Sequence, residues 1–473
     1  MDSPTKHSSN INHDRSQAQP EPDTSNQNEL SINEGNPRKF CFFIFANPKS
    51  GSNKGAELNE LGVETMIFSY FKPHGCDAEL HIYDLWDSKS KDRGMKALKE
   101  EIERGQNEVR VACGGGDGTT MWVVDEMQKH KVPIDKIVLG TIPLGTGNHI
   151  SRTLGWGKVK SDLISGRFLG GLKGLISDWV ISNIEPFDLW DVTIECYDEG
   201  GVRQVVMTDK NRHETRYLMN IDEKGVERKI LTFRRKMSNY FSLGFDAAVG
   251  YEFEKHRSKS RIKNGLTYLW KGIKKSFTHN SKITDFITSI ESFKDPESES
   301  IIQSNKETML REKGEFIIHP VKAKKLKKEP ASTTCRDIYI KDHLHVLLFL
   351  NIPHYAGGKD IWDSKRARYG STNEKGEKYK NFAPQNFHDG ILEILGFRGV
   401  AALSTGMSNR LWQTSGPVVV NFKRSESTED PLQTHFEIDG EHFELLAPKR
   451  AIVRRCPDLP SINVMVKRLD TKK

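Results

Sequence analysis

The chain has 473 residues, 36% of them hydrophobic and 29% charged, and its 71 Lys and Arg outweigh 64 Asp and Glu for a formal net charge of +7. That length holds two domains, and the modest apolar share leaves part of it outside any packed core. The basic excess is too mild to imply a nucleic-acid partner, and none is expected, but it suits a polyphosphate ligand or an anionic membrane surface. The six cysteines (Cys41, Cys76, Cys113, Cys196, Cys335, Cys456) stand singly, which excludes zinc-type pairs. Cys41, Cys113 and Cys196 lie in apolar runs and read as small core residues in a reducing compartment. No apolar stretch reaches the ~18–20 residues of a membrane span, and the polar N-terminus carries no signal peptide. The expectation is a cytoplasmic protein that meets membranes only peripherally.

In chain order, residues 1–36 are rich in Ser, Asn, Asp and Gln and read as a disordered tail. Apolar runs at 40–46, 79–83, 109–113 and 137–143 then alternate with helical periods at 93–103 and 119–128. This βαβ rhythm predicts a doubly wound parallel sheet in a domain over 37–180. From residue 181 to 460 the pattern changes to short strands separated by turns, which predicts a β-rich, sandwich-like second domain. A helical segment at 251–277 interrupts it, as does a charged insertion at about 292–332 that ends in the string Lys322, Lys324, Lys325, Lys327, Lys328. That insertion reads as mobile, and residues 461–473 as a C-terminal tail.

Three glycine loops follow predicted strands. The central one runs Gly114-Gly115-Gly116-Asp117-Gly118-Thr119 and opens a helix. Successive glycines let bare backbone approach a ligand, and a helix N-terminus with unpaired N–H groups suits phosphate. Asp117 there can hold Mg²⁺, and Thr119 can donate a hydrogen bond. Asn47-Pro48-Lys49-Ser50-Gly51 follows the first strand, offering Lys49 and the Ser50 and Gly51 amides to an anion. Pro143-Leu144-Gly145-Thr146-Gly147-Asn148 follows the fourth run, with Asn148 set to cap a helix starting at His149. Ligands of open α/β sheets sit beyond the carboxyl ends of the strands, so the loops converge on one crevice. None fits the G-x-x-x-x-G-K-[ST] loop or the dinucleotide fingerprint.

NPKSG, GGGDGT and PLGTGN in this order resemble the catalytic domain of diacylglycerol kinases, a fold shared with sphingosine, ceramide and, more distantly, NAD kinases. NYFSLGFDAAV (239–249), 260–277, NIPHYAGGKDIW (351–362), DGILEILGF (389–397) and IDGE (438–441) resemble the accessory domain of the eukaryotic members. The resemblance implies an ATP- and Mg²⁺-dependent kinase that converts diacylglycerol in anionic membranes to phosphatidic acid. It implies nucleotide contacts at Asn47, Lys49, Ser50, Gly51, Gly115, Gly116, Asp117, Gly118, Thr119, Gly145, Thr146 and Asn148. Asp439 and Glu441 fall on the interdomain DGE motif, with Glu441 as general base, and Asp246 is a weaker candidate for the same cleft. Asp188 and Trp190 fall on an interdomain element in which Trp190 reads as core. His149 departs from the family, which carries an acid there, and the chain lacks zinc-type lipid-binding modules. The rival expectations are a kinase for another lipid alcohol, a sphingoid base or ceramide, and a catalytically weak lipid- or nucleotide-binding regulator.

Overall fold

In this computed structural model the described residues are 38–51, 54–60, 65–71, 76–145, 147–157, 168–208, 212–256, 281–293, 314–320, 335–340, 343–355 and 358–468. The expected N-terminal tail, the helical segment beyond residue 256, the lysine string and Thr146 lie outside them.

The first strand, β1 (Arg38–Ala46), is apolar on both faces, and Phe40 through Ala46 are buried. Such a run suits the centre of a parallel sheet. β3 (Cys76–Asp84) and β4 (Glu108–Gly115) flank it in parallel, β5 (Val138–Pro143) continues beyond β4, and β2 (Thr65–Phe71) is antiparallel at the edge. The connections carry α1 (Lys54–Asn59), α2 (Ser88–Arg104), α3 (Asp117–Lys129), α4 (His149–Thr153) and α5 (Phe168–Val180). α2 begins where the Asp87 carboxylate accepts the Lys89 amide and ends at left-handed Gly105.

Two later strands complete this sheet. β6 (Asn183–Asp188) forms its far edge, and β13 (Ser461–Val466) lies between β6 and β5, antiparallel to the first and parallel to the second. The tail expected at 461–473 is thereby corrected, and the sheet extends past the boundary expected at 180. β13 is held because Ile462, Val464 and Met465 are buried and the Trp156 indole donates to the Met465 carbonyl at 2.7 Å.

The described residues of the rest of the chain build a β-rich domain around one sheet of fifteen strands. Its strands include β7 (Trp190–Met207), β8 (Thr232–Met237), β9 (Tyr240–Gly244), β10 (Val346–Leu350), β11 (Gln433–Ile438) and β12 (Glu441–Arg455). β10, β9, β11 and β12 are antiparallel neighbours, and β12 also pairs with β7, which pairs with β8. The two-sheet sandwich expected from sequence is replaced by a sheet that curls towards closure. Its path ends in Arg368–Tyr369 on one side and Ser371–Thr372 on the other, and only Gly370 separates these two short strands. Phe241, Leu243, Leu347, Phe349, Phe436 and Val453 fill the interior. Within the span expected as a mobile insertion, Gly314–His319 is a strand paired with Ile287–Phe293, and Phe316 and Ile318 are buried.

The domains meet where the chain crosses from β6 to β7. The Asp188 carboxylate accepts the Gly390 amide at 2.6 Å and pairs with Arg455. Trp190 is fully buried, as expected of a core residue, with its indole donating to Asn351 Oδ1 at 2.8 Å. α6 (Phe245–Glu254) follows β9 and packs on β11 and β12.

Candidate active site

Parallel β3, β1, β4 and β5 bring four carboxyl ends to one edge, and the three glycine loops pack there against one another. Gly51 has φ 62°, and a Cβ on it would stand 2.3 Å from the Leu144 carbonyl oxygen. A Cβ on Gly145 would meet the Gly116 Cα at 2.5 Å. Glycine is needed at both because backbone touches backbone, whether or not a ligand is bound.

Asn47 ties the first loop to the second. Its Nδ2 donates to Thr119 Oγ1 at 3.3 Å, and Ser50 Oγ lies 3.5 Å from the same hydroxyl. The Lys49 ammonium lies over the Trp86 ring, 3.2 Å from its centroid. Gly115 and Gly116 lead into α3, whose first turn begins with Asp117 and Gly118; the first amides of a helix have no intrahelical acceptor.

Asp117 ties the second loop to the third. Its Oδ2 accepts the His149 amide at 2.9 Å and its Oδ1 the Ile150 amide at 3.1 Å. The cap of α4 expected from Asn148 is therefore supplied by Asp117. Asn148 itself is left-handed at φ 49°, and its Nδ2 turns back to the Gly145 carbonyl at 2.8 Å. Its buried Oδ1 and the buried Nε2 of His149 have no hydrogen-bond partner among the described residues. Burial holds the His149 imidazole below the usual histidine range, against the opposing pull of the Asp117 carboxylate 3.6 Å away.

His149 also meets the second domain, its ring 6.2 Å from that of Tyr240. Nearby, Thr153 Oγ1 lies 3.0 Å from His354 Nδ1. Tyr240 opens β9 beside the β11–β12 turn at Asp439-Gly440. Both turn residues have positive φ, 50° and 91°, which is the type I′ hairpin geometry that an Asp-Gly pair favours. The half-buried Asp439 carboxylate accepts the amides of Ser238, Asn239 and Tyr240 and the Ser238 hydroxyl at 2.7–3.0 Å. Burial nevertheless raises it to about 6. Glu441, two residues on, is 41% exposed and forms a two-pronged ion pair with Arg235 at 2.5 and 2.7 Å. Lys236, next to Arg235 on β8, bonds Asp125 of α3 at 2.7 Å. β8 thus links the Glu441 turn to the helix that opens at Asp117.

Behind Tyr240 lies a buried polar network that sequence reasoning missed apart from Asp246. Asp246 accepts from Ser242, Tyr355 and the Ala247 amide, and burial raises it to about 6. The Tyr240 hydroxyl donates to Glu437 at 2.6 Å, and His442 stands between Glu437 (3.5 Å) and Glu254 (3.0 Å). Burial disfavours the His442 charge, but the two carboxylates more than offset it and bring this histidine to about 10. Burial would raise Glu437, yet the charge and hydrogen bond of His442 hold it below the usual carboxylate range. The available signal was acid and imidazole at alternate positions of apolar strands.

Mg²⁺ binds nucleotides through one or two carboxylates, phosphate oxygens and waters. A carboxylate offers about four lone-pair sites, and Asp117 spends two on the α4 amides. What remains fits a metal shared with phosphate. The group with three-ligand spacing among the described residues, Asp92, Glu126 and His130, involves the far end of α3, and Lys91 already bonds Glu126 at 3.1 Å.

Fold and loops define a two-domain protein in which the loop edge of a mixed α/β domain faces a β-rich partner domain. Residues 41–171 match the model of the diacylglycerol kinase catalytic domain, and residues 236–442 match that of the diacylglycerol kinase accessory domain. The chain belongs to the diacylglycerol kinase family. It is 24% identical over 434 residues to diacylglycerol kinase 5 of Arabidopsis thaliana, covering 86% of this chain and 73% of that protein. It is 25% identical over 429 residues to diacylglycerol kinase 1 of Oryza sativa subsp. japonica, covering 86% and 75%. With diacylglycerol kinase zeta of Homo sapiens it shares 27% over 421 residues, which is 87% of this chain but 34% of the human protein.

Proposed function

We propose that this chain transfers the γ-phosphoryl group of ATP to the free hydroxyl of diacylglycerol, giving phosphatidic acid. The observation that carries the reading is the joining of three glycine loops by Asn47 and Asp117 at one sheet edge, beside the Asp439–Glu441 turn of an accessory domain. The family matches over both domains support it. We read the first domain more finely as the doubly wound, NAD-kinase-like fold.

In this reading the phosphates lie along Lys49, Ser50, Gly51, Gly115, Gly116, Gly118, Thr119, Gly145 and Asn148. Thr146 belongs to the same set by its place in the motif. Asp117 holds Mg²⁺ through the lone pairs its oxygens do not give to α4, and the ion, when bound, neutralises charge on the phosphates. Phosphoryl transfer needs little covalent help, so positioning and electrostatics carry most of the rate. Glu441 is the general base: it is solvent-accessible, and an incoming hydroxyl would displace its partner Arg235 to reach it. Asp246 and Asp439 have the better-matched acidity at about 6, but the first is buried, the second half-buried, and the oxygens of both are already bonded. The partners are ATP and diacylglycerol in anionic membranes, met from the cytoplasm. Among the described residues no helix is long and apolar enough to cross a bilayer.

The test is a panel of lipid alcohols offered with γ-labelled ATP. Diacylglycerol is expected to take the label well ahead of sphingosine and ceramide. Preferential labelling of either of those would move the substrate. No labelled lipid at all would favour the regulator that His149 suggests.

A further inference from the structure

Trp86 stands just past the end of β3, the outermost of the four parallel strands that carry the site. Its exposure is 51%, and it is the one tryptophan among the exposed large hydrophobic side chains of the described residues. An exposed indole is usually free to move, but this one is fastened. Its Nε1 donates to Asn47 Oδ1 at 2.9 Å, and its backbone amide donates to Asp84 Oδ1 at 2.7 Å. Asn47 is the same side chain that reaches Thr119 of the central glycine loop. Trp122, from the second turn of α3, stands edge-on to Trp86 at 5.9 Å and 87°, so the two rings form a corner. The polar edge of Trp86 is thus satisfied within the protein while half of the residue stays open beside the loops, even with Lys49 over the ring.

We infer that Trp86 is the stacking platform for the nucleobase of the phosphoryl donor, with Trp122 as its side wall. The inference rests on the nucleotide reading of the glycine loops. The order along the edge supports it: Trp86 after β3, Asn47 after β1, then the loops after β4 and β5. Three strand spacings of about 4.8 Å separate the first from the last, a reach comparable with an extended nucleoside triphosphate. With the phosphates running from the first loop to the last, the base falls beyond Asn47 at the Trp86 end. A flat apolar face binds any planar base, so adenine and guanine nucleotides should bind with similar affinity.

The test is equilibrium binding of ATP and of inorganic tripolyphosphate, which lacks the base, to the full chain and to its W86A and W86F variants. Base–aromatic stacking removed by alanine costs about 5- to 160-fold in affinity. W86A is expected to lose that much for ATP and nothing for tripolyphosphate, while W86F retains ATP within a few-fold. Equal losses for both ligands would overturn the platform, because Trp86 would then act only by holding Asn47. An unchanged ATP affinity in W86A would overturn it as well. If the parent chain binds tripolyphosphate but not ATP, the platform fails alone; if it binds neither, the nucleotide reading falls with it.

Discussion

Asp117 does two jobs that a sequence motif would assign as one. Its carboxylate closes the first turn of α4 through two amides, and in the proposed reaction it keeps spare lone pairs for the metal. The substitution D117A therefore carries two separable costs. Losing a cap of this kind destabilises by about 1 kcal/mol, and losing one electrostatic contact to the transition state lowers the rate by roughly 10²–10³. Thermal melting with steady-state kinetics on the same preparation reads both. A variant that melts like the parent and keeps more than half its rate contradicts both assignments. The glycine loops were legible because each position answers a local need of the backbone, at Gly51, Gly116 and Gly145. The destinations of the side chains were not. Asn148 sits at the helix start in sequence, yet a carboxylate 33 residues before Ile150 supplies the cap.

At the scale of elements, the β11–β12 hairpin and strand β13 carry the clearest consequences. Asp439 binds four donors from residues 238–240, so it fixes the start of β9 against the turn that presents Glu441. Burial pushes its pKa up to about 6, from an ordinary value of 3.8. Between those values the folded chain keeps a proton that the unfolded chain has released. The stabilisation from this linkage is complete below pH 3.8 and lost as pH rises through about 6. D439N is expected to flatten that slope, and to melt lower than the parent at pH 7 because an amide cannot accept from every donor. Leaving buried donors unmet costs about 1–3 kcal/mol. Melting curves of parent and variant from pH 4 to pH 7 (about one unit apart) check both statements, and identical curves would refute them. Deleting residues 461–473 removes β13 from between β5 and β6. Its three buried apolar side chains are worth about 1.5–3 kcal/mol each, a large part of a typical stability of ~5–15 kcal/mol. The truncated chain is expected to be insoluble or to lose its cooperative melt; a soluble protein with an unchanged melt would mean that β13 is dispensable. β13 was unreadable in advance because its pairing is set by an element far away: Met465 meets Trp156 across 309 residues.

For the whole molecule, the two-domain division and the order α/β before β were legible from the change in hydrophobic rhythm near residue 181. Sandwich against curled sheet was not, since inward and outward residues alternate identically in both; closure depends on where Arg368–Thr372 pairs. The buried network of Tyr240, Glu437, His442 and Glu254 stayed hidden because charged residues within strands ordinarily mark the solvent face. What the architecture does bring together is a loop edge from one domain and a carboxylate turn from the other, linked by β8 through Lys236–Asp125 and Arg235–Glu441. The central claim is that this juncture passes phosphate from ATP to a lipid hydroxyl with Glu441 taking the proton. The most direct test measures labelled phosphatidic acid formed from γ-labelled ATP and diacylglycerol by the full chain and by E441Q as ATP is varied up to saturation. The account predicts product from the parent, a fall of about 10²–10⁴ in kcat for E441Q, and an unchanged KM for ATP. No labelled phosphatidic acid from the parent, or an E441Q rate above half the parent's, would contradict it.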